Sequence, residues 1–320
     1  MSCMEPQDVI GLVGAGIVGQ AWALIFARKG CVVKLFDAFP GQSEKALQTL
    51  KSVRIPQMIR HGLITEAQAT EVLARIEIQA DLETCMTGVC YVQESVPEDV
   101  EIKRKALNQI LSVIGPSVKA IGSSSSAIPM SEMCLDTRTL VAHPVNPPFS
   151  IPLVEVVPSS QTCQDSIDFA ISLLRKVGQS PILINKEVPG FVLNRLQYAL
   201  LAEAFRLVDD GVCSPEDVDL AVSAGLGRRW CFMGPFQTID MNAPKGVEDY
   251  VERYGETILN IVRTQDNSRT WSSDLVSKVS AGARRMNGEI GDLSRKISWR
   301  DGRLLDLSLH LQQQQDFDNK

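Results

Sequence analysis

The stretch "VAHPVNPPFSIPLVEVV", residues Val141 to Val157, carries two ionisable side chains in surroundings that do not suit them. His143 is one of three histidines in the chain and stands between Ala142 and Pro144; Glu155, twelve residues on, is set among Pro, Leu and Val. A carboxylate in an apolar strand is costly unless it is paired. A neutral imidazole hydrogen-bonded to a carboxylate has a fixed tautomer and raised basicity, which is what a general base requires. Taken alone, Glu155 also reads as an exposed residue on an edge strand, since exposed Glu is common. His143, however, directly follows the strand "TLVA", at the carboxyl end where open α/β sheets bind their ligands. His61 and His310 lie in polar helical patterns and read as ordinary surface or satisfied histidines.

A second cluster of chemistry lies at the amino end. Gly14-Ala15-Gly16-Ile17-Val18-Gly19 is GxGxxG, a weak signal by itself. Here it follows a strand and opens a helix, and Asp37 ends the next strand eighteen residues after Gly19. Glycines let the backbone approach a pyrophosphate on the helix N-terminus, while the carboxylate accepts from ribose hydroxyls. Gly14, Gly16, Ile17, Val18, Gly19 and Asp37 are therefore the expected dinucleotide contacts. Asp37 would repel a 2′-phosphate, so NAD is expected over NADP. Two further polar features stand out. Ser123 to Ser126 form a run just after a strand, and Asn194, a poor mid-helix residue, sits inside "GFVLNRLQ".

The elements that must hold these residues alternate through the first half. "DVIGLVGAG" and "VVKLFD" read as strands around the helix "VGQAWALIFARKG". "SEKALQTLKSVRIPQMIRHG" is helical with Ser43 as N-cap, and Thr65 caps "EAQATEVLARI". Strands follow at "IEIQ", "GVCYVQES", Lys119–Gly122, Leu140–Ala142, Leu153–Val157 and Pro181–Ile184, with a helix around "EIKRKALNQILSVI". Such alternation predicts an α/β fold, a Rossmann-type, doubly wound, mostly parallel sheet. Beyond Pro189–Gly190 strand patterns vanish, and Leu193, Leu196, Leu200 and Leu207 share one helical face. Gly211 closes that helix, and Ser214 with Pro215 opens the next. The expected division is a dinucleotide-binding domain over 1–188 and an all-helical domain over 189–320, which dimerises through its wide apolar faces. The tail "QQQQDFDNK" is expected to fray.

Composition narrows the function classes. A net charge of −6 argues against nucleic acid or an anionic membrane surface as partner. No apolar run approaches the roughly 18 residues of a membrane span. Eight scattered cysteines without CxxC, behind a start with no visible signal peptide, read as free thiols of a cytoplasmic protein. Their spacing does not suit zinc, and no metal is expected.

Together these residues resemble the 3-hydroxyacyl-CoA dehydrogenase superfamily, and within it the lambda-crystallin branch. "HPVNPP", the interval of twelve from His143 to Glu155, "PLVEV" and "PGFVLNRL" carry the resemblance, as do "ESVPED" with Lys103, "SPEDVDLA", "GLGRRW" and "GPF". It runs from about residue 8 to about residue 250, and the last seventy residues carry little of it. The resemblance implies hydride transfer from the 3-hydroxyl of a small L-3-hydroxy acid such as L-gulonate, with His143 as base and Glu155 as its partner. Ser126 and Asn194 would hold the substrate oxygen, with Asn146 lining the pocket, and Glu98 and Lys103 would contact the cofactor. In "SSSSAI" the substrate hydroxyl maps to Ser126, with Ser124 as the alternative register. Arg228 and Arg229 lie between glycines, where a turn would aim a guanidinium at a substrate carboxylate, with Arg229 the candidate by motif position; they also read as two exposed loop arginines. The rivals are a 3-hydroxyacyl-CoA substrate and a non-catalytic, NADH-binding, crystallin-like structural role.

Overall fold

Eight short strands form one sheet in the computed structural model, which describes residues 8–265 and 269–318. They are β1 (Val9–Val13), β2 (Val32–Phe36), β3 (Ile76–Ile78), β4 (Tyr91–Glu94), β5 (Ala120–Ser123), β6 (Thr139–Pro144), β7 (Leu153–Pro158) and β8 (Ser180–Leu183), in the order β3-β2-β1-β4-β5-β6-β7-β8. β1 through β6 pair in parallel, β7 runs antiparallel to β6, and β8 is parallel to β7. The strand order reverses between β1 and β4, which is where doubly wound sheets open a crevice at their carboxyl ends.

Helices fill the crossovers: α1 (Ile17–Arg28), α2 (Gln42–Thr49), α3 (Ile55–Arg60), α4 (Glu66–Ala74), α5 (Leu82–Met86), α6 (Val100–Val113), α7 (Met130–Met133) and α8 (Gln164–Lys176). A wide turn over Leu50–Arg54 joins α2 to α3. Both faces of the sheet are covered, by a cluster around Trp22, Phe26, Leu35 and Tyr91 and by one around Met86, Leu107, Ile121 and Phe191. This explains why the central strands read as continuous apolar runs rather than alternating ones. Thr65 caps α4 with a full capping box to Gln68. Ser43 does not cap α2. The N-cap is Gly41, which adopts a left-handed φ of 78° that serine would enter only with strain, and Ser43 is buried inside the helix.

The remaining elements are helical, as expected: α9 (Leu193–Asp209), α10 (Pro215–Leu220), α11 (Gly227–Trp230), α12 (Pro235–Asp240), α13 (Val247–Arg263), α14 (Ser273–Asn287) and α15 (Leu293–Asp318). The chain forms two compact units, one reaching Arg195 and taking in Ser298 onward, the other comprising Leu196–Ile297. The boundary expected near residue 188 therefore falls within the first unit, and the last helix returns to that unit. The tail expected to fray is helical as far as Asp318, while Asn319 and Lys320 lie outside the described residues. Among the described residues no helix is long and apolar enough to cross a membrane, and no group of three His, Cys, Asp or Glu is placed to hold a metal ion.

Candidate active site

His143 lies in the last turn of β6 pleating rather than after it, and β7 brings Glu155 directly opposite. In an antiparallel pair, opposed residues hold their Cβ atoms about 4.5–5.5 Å apart. The dyad is therefore a cross-strand pair, and its twelve-residue interval is the hairpin-like connection that lets β7 run back along β6. His143 Nδ1 is 2.7 Å from Glu155 Oε2, with Glu155 fully buried and His143 nearly so. A carboxylate only accepts, so Nδ1 carries the proton and the Nε2 lone pair is left for chemistry.

The other oxygen of Glu155 accepts from the backbone N–H groups of Val192 and Leu193, each at 2.8 Å. Phe191 makes this possible. It is the one non-glycine at positive φ (49°) among the described residues, and the turn through Gly190 and Phe191 presents the two following amides to the carboxylate. The buried Phe191 ring lies 6.0 Å from the His143 ring. Burial alone would raise the Glu155 carboxyl, but the His143 contact and the two amides outweigh it and hold the group below the ordinary glutamate range. Glu155 is thus a charged acceptor held from three directions, one at Oε2 and two at Oε1. Phe191 and the two amides were not expected from the sequence; the only local signal was Pro189–Gly190.

Asn194 stands in the first turn of α9 rather than mid-helix, and its Nδ2 donates to the Ser126 carbonyl at 2.8 Å. This ties the start of α9 to the serine loop after β5. Within that loop the four hydroxyls have different duties. Ser123 donates to Glu94, and the one O–H of Ser125 is shared between Glu98 and the Ile128 carbonyl. Ser124 is engaged in the interior by Trp22 Nε1 (3.1 Å), Gln93 Nε2 (2.8 Å) and Ser95 Oγ (2.9 Å). Ser126 Oγ has a single long contact, 3.2 Å to Glu98 Oε1.

Glu98 and Lys103 do different work from one another. Glu98 Oε1 also accepts from the Ser126 and Ala127 amides and so orders the serine loop. Lys103 is buried, its ammonium enclosed by Glu94 Oε1 (3.0 Å), the Val96 carbonyl (3.2 Å) and Glu98 Oε2 (3.5 Å). An ammonium has three donors, and both oxygens of Glu94 (Oε2 at 3.3 Å) and the Val96 carbonyl accept them, with Glu98 as an ion-pair partner. Burial raises the carboxyl of Glu94 despite Lys103, whereas Glu98, less enclosed, is held below its ordinary value by Lys103 and the serine-loop donors against the pull of burial.

The glycine loop fits a dinucleotide. Gly14 has φ 102°, and a Cβ there would stand 2.6 Å from the Ser95 carbonyl; at Gly19 it would stand 1.9 Å from the Gly14 oxygen. Both glycines are demanded by close packing. A Cβ on Gly16 would meet nothing within 4 Å, so that face is open, just where α1 begins. Ile17 beside it is exposed, and Val18 packs against the core cluster. Asp37 accepts from the Ala15 amide (2.7 Å) and the Phe39 amide (2.9 Å), which locks the loop yet leaves lone pairs for ribose hydroxyls.

Asn146 is exposed in the connection after β6. Arg228 and Arg229 lie in the other compact unit, exposed on α11. The expected turn is helical there: a wide helical turn over Ala221–Leu226 runs straight into α11, so the flanking glycines do not break the chain direction.

The chain matches the family model of the 3-hydroxyacyl-CoA dehydrogenase NAD-binding domain over residues 9–188, and that of the 3-hydroxyacyl-CoA dehydrogenase C-terminal domain over 190–282. It is 40% identical over 303 residues to a lambda-crystallin homolog of Bos taurus, covering 93% of this chain and 94% of the relative. An L-carnitine dehydrogenase of Streptomyces coelicolor is 36% identical over 248 residues, 76% of each protein. Among solved structures, an NAD+-dependent 5-formyl-3-hydroxy-2-methylpyridine 4-carboxylic acid 5-dehydrogenase superposes with a TM-score of 0.77 at 26% identity, over 95% of this chain and 97% of that one.

Proposed function

The chain belongs to the 3-hydroxyacyl-CoA dehydrogenase family and is an NAD-dependent oxidoreductase acting on CH–OH; from that premise we propose that it oxidises the 3-hydroxyl of L-gulonate, or of a similar small L-3-hydroxy acid, to the 3-keto acid. The observation that carries this reading is the buried 2.7 Å contact between His143 and Glu155, with Nε2 left as the base. His143 Nε2 takes the hydroxyl proton, and the resulting imidazolium is stabilised by the ionised Glu155. Glu155 in turn is kept ionised by the Val192 and Leu193 amides. Ser126 and Asn194 hydrogen-bond the oxygen as it becomes a carbonyl, and Asn146 lines the same pocket. Ser126 is the better candidate than Ser124, whose hydroxyl already has three interior partners.

NAD supplies the hydride acceptor when bound. Gly14, Gly16, Ile17, Val18 and Gly19 would cradle its pyrophosphate, and Asp37 would take the ribose hydroxyls and disfavour a 2′-phosphate. Glu98 and Lys103 would act on the cofactor side chiefly by ordering the serine loop, since Lys103 is enclosed.

A free acid rather than a CoA thioester is supported by the carnitine dehydrogenase relative, since L-carnitine is itself a free 3-hydroxy acid. Arg229 is the proposed partner of the substrate carboxylate, because a guanidinium binds a carboxylate in bidentate fashion. We assign the protein to the cytoplasm and to a homodimer. The second assignment is supported by the apolar side chains that α9 and α13 leave exposed, among them Leu196, Leu259 and Ile261. The test is a panel of L-gulonate, L-carnitine and (S)-3-hydroxybutyryl-CoA with NAD and with NADP. The reading expects the best kcat/KM for L-gulonate with NAD, and selective loss on the free acids in Arg229→Met. Preference for the thioester would overturn the substrate.

A further inference from the structure

The last helix lies beyond the family match, which ends at residue 282, yet from Ser298 on it belongs with the unit that carries the dyad. Its contacts there are polar and specific. Asp301, 1% exposed, accepts from Arg54 Nη1 at 2.9 Å and from Arg300. The same Arg54 guanidinium stacks over the Phe149 ring, 5.3 Å from its centroid. Ser308 Oγ lies 2.7 Å from the Ser150 carbonyl and 2.8 Å from the Leu304 carbonyl of its own helix, so its one O–H is shared between the connection and the helix. His61 Nδ1 lies 2.6 Å from Asp306, and its ring sits so close to Gly302 that a Cβ there would come within 3.0 Å of it.

Two of these contacts converge on one short segment. Phe149 and Ser150 belong to the connection that leaves β6 one residue after His143 and enters β7 two residues before Glu155. Asn146, the exposed amide assigned above to the substrate pocket, is in the same connection. A helix that only covered apolar surface would not bury a carboxylate between two guanidiniums, because a buried charge is costly unless its geometry is exact. Arg54 joins that carboxylate to the ring of Phe149, so the position of the connection depends on the last helix.

We infer that the C-terminal helix is a brace for substrate binding, in which Arg54, Asp301 and Ser308 are positioning residues that hold the Asn146–Ser150 connection in register with His143. The inference rests on Asn146 lining the substrate pocket. The brace acts on substrate geometry and not on the base, because the dyad is fixed separately by the β6–β7 ladder and the Val192 and Leu193 amides.

The full-length protein is assayed with whichever of L-gulonate, L-carnitine and (S)-3-hydroxybutyryl-CoA the wild type turns over. Ser308→Ala and Arg54→Met should each raise KM for the hydroxy substrate about tenfold, less than the roughly hundredfold that a full 1 Å misplacement from a remote change can cost. Their kcat and NADH Kd should stay within about twofold of wild type, and Arg54→Lys should recover most of the KM. Asn146→Ala should raise KM as well, and adding Ser308→Ala to it should raise KM no further, since both act through one connection. A wild-type KM in Ser308→Ala overturns the brace, as does a KM penalty that multiplies with that of Asn146→Ala. Should Arg54→Met fail to fold, Ser308→Ala carries the test. Wild-type turnover by His143→Gln would instead sink the base reading, an outcome distinct from any of these.

Discussion

Replacing Glu155 by Gln changes one oxygen to an amide nitrogen and separates charge from shape. In the native protein the carboxylate accepts from Nδ1 of His143 at 2.7 Å and from the Val192 and Leu193 amides at 2.8 Å. The backbone amides can only donate, so the Gln carbonyl oxygen must face them, and the NH2 must then face His143. An NH2 cannot accept from Nδ1–H, so the imidazole moves its proton to Nε2, the atom that must receive the substrate proton. The base is disabled without being removed. The comparable change in a serine-protease triad costs about 10⁴ in kcat, so a loss of about 10³–10⁴-fold is expected here. Stability should fall by about 1–3 kcal/mol, because three charge-assisted bonds become neutral ones while the backbone amides stay paired. Steady-state kcat with L-gulonate and NAD, beside NADH binding by fluorescence, reads both effects. A kcat within tenfold of wild type would mean that Glu155 does not set the His143 tautomer.

The pH dependence has a definite sign. Glu155 is held below its ordinary value in the folded protein, so its stabilisation is complete above the unfolded pKa of about 4.3 and is lost as pH falls through the lower folded value. Calorimetry should show a steeper acid decline of Tm in wild type than in Glu155→Gln, and parallel curves would contradict this. Gly19→Ala, whose Cβ would meet the Gly14 oxygen at 1.9 Å, should lower Tm markedly. Gly16→Ala, with nothing within 4 Å, should keep Tm and weaken NADH binding instead; unchanged NADH affinity would mean that the open face is not the pyrophosphate seat. Ser124→Ala strands the Trp22 and Gln93 donors and should cost about 1–3 kcal/mol of stability. Ser126→Ala should leave stability intact and lower kcat, and the reverse pattern would exchange the two serines' roles.

What could be read from the sequence was local or periodic. The glycine loop and Asp37 were legible because their requirements are steric and lie within one strand, turn and helix. His143 and Glu155 were legible as a pair because a buried carboxylate needs a partner, but nothing local specified that β7 would turn back antiparallel and set them directly opposite. The amides that complete Glu155 were not legible, because they depend on Phe191 holding a positive φ against its own preference. Serine favours the N-cap on average and so points to Ser43, whereas the left-handed turn here requires Gly41. The glycines flanking Arg228 and Arg229 suggest a turn, yet the helix runs through. The last helix was opaque for another reason: its partners Arg54 and His61 lie some 245 residues away in sequence, and no periodicity reports such a contact.

His143 is proposed as the base, with no structural duty beyond its pairing to Glu155. The direct test is His143→Gln, with kcat for L-gulonate oxidation, NADH Kd and Tm measured on one preparation. kcat should fall by about 10²–10⁴-fold, the usual contribution of a positioned base, with NADH Kd and Tm close to wild type. Retained turnover, or an equal loss of activity and NADH binding, would contradict that role.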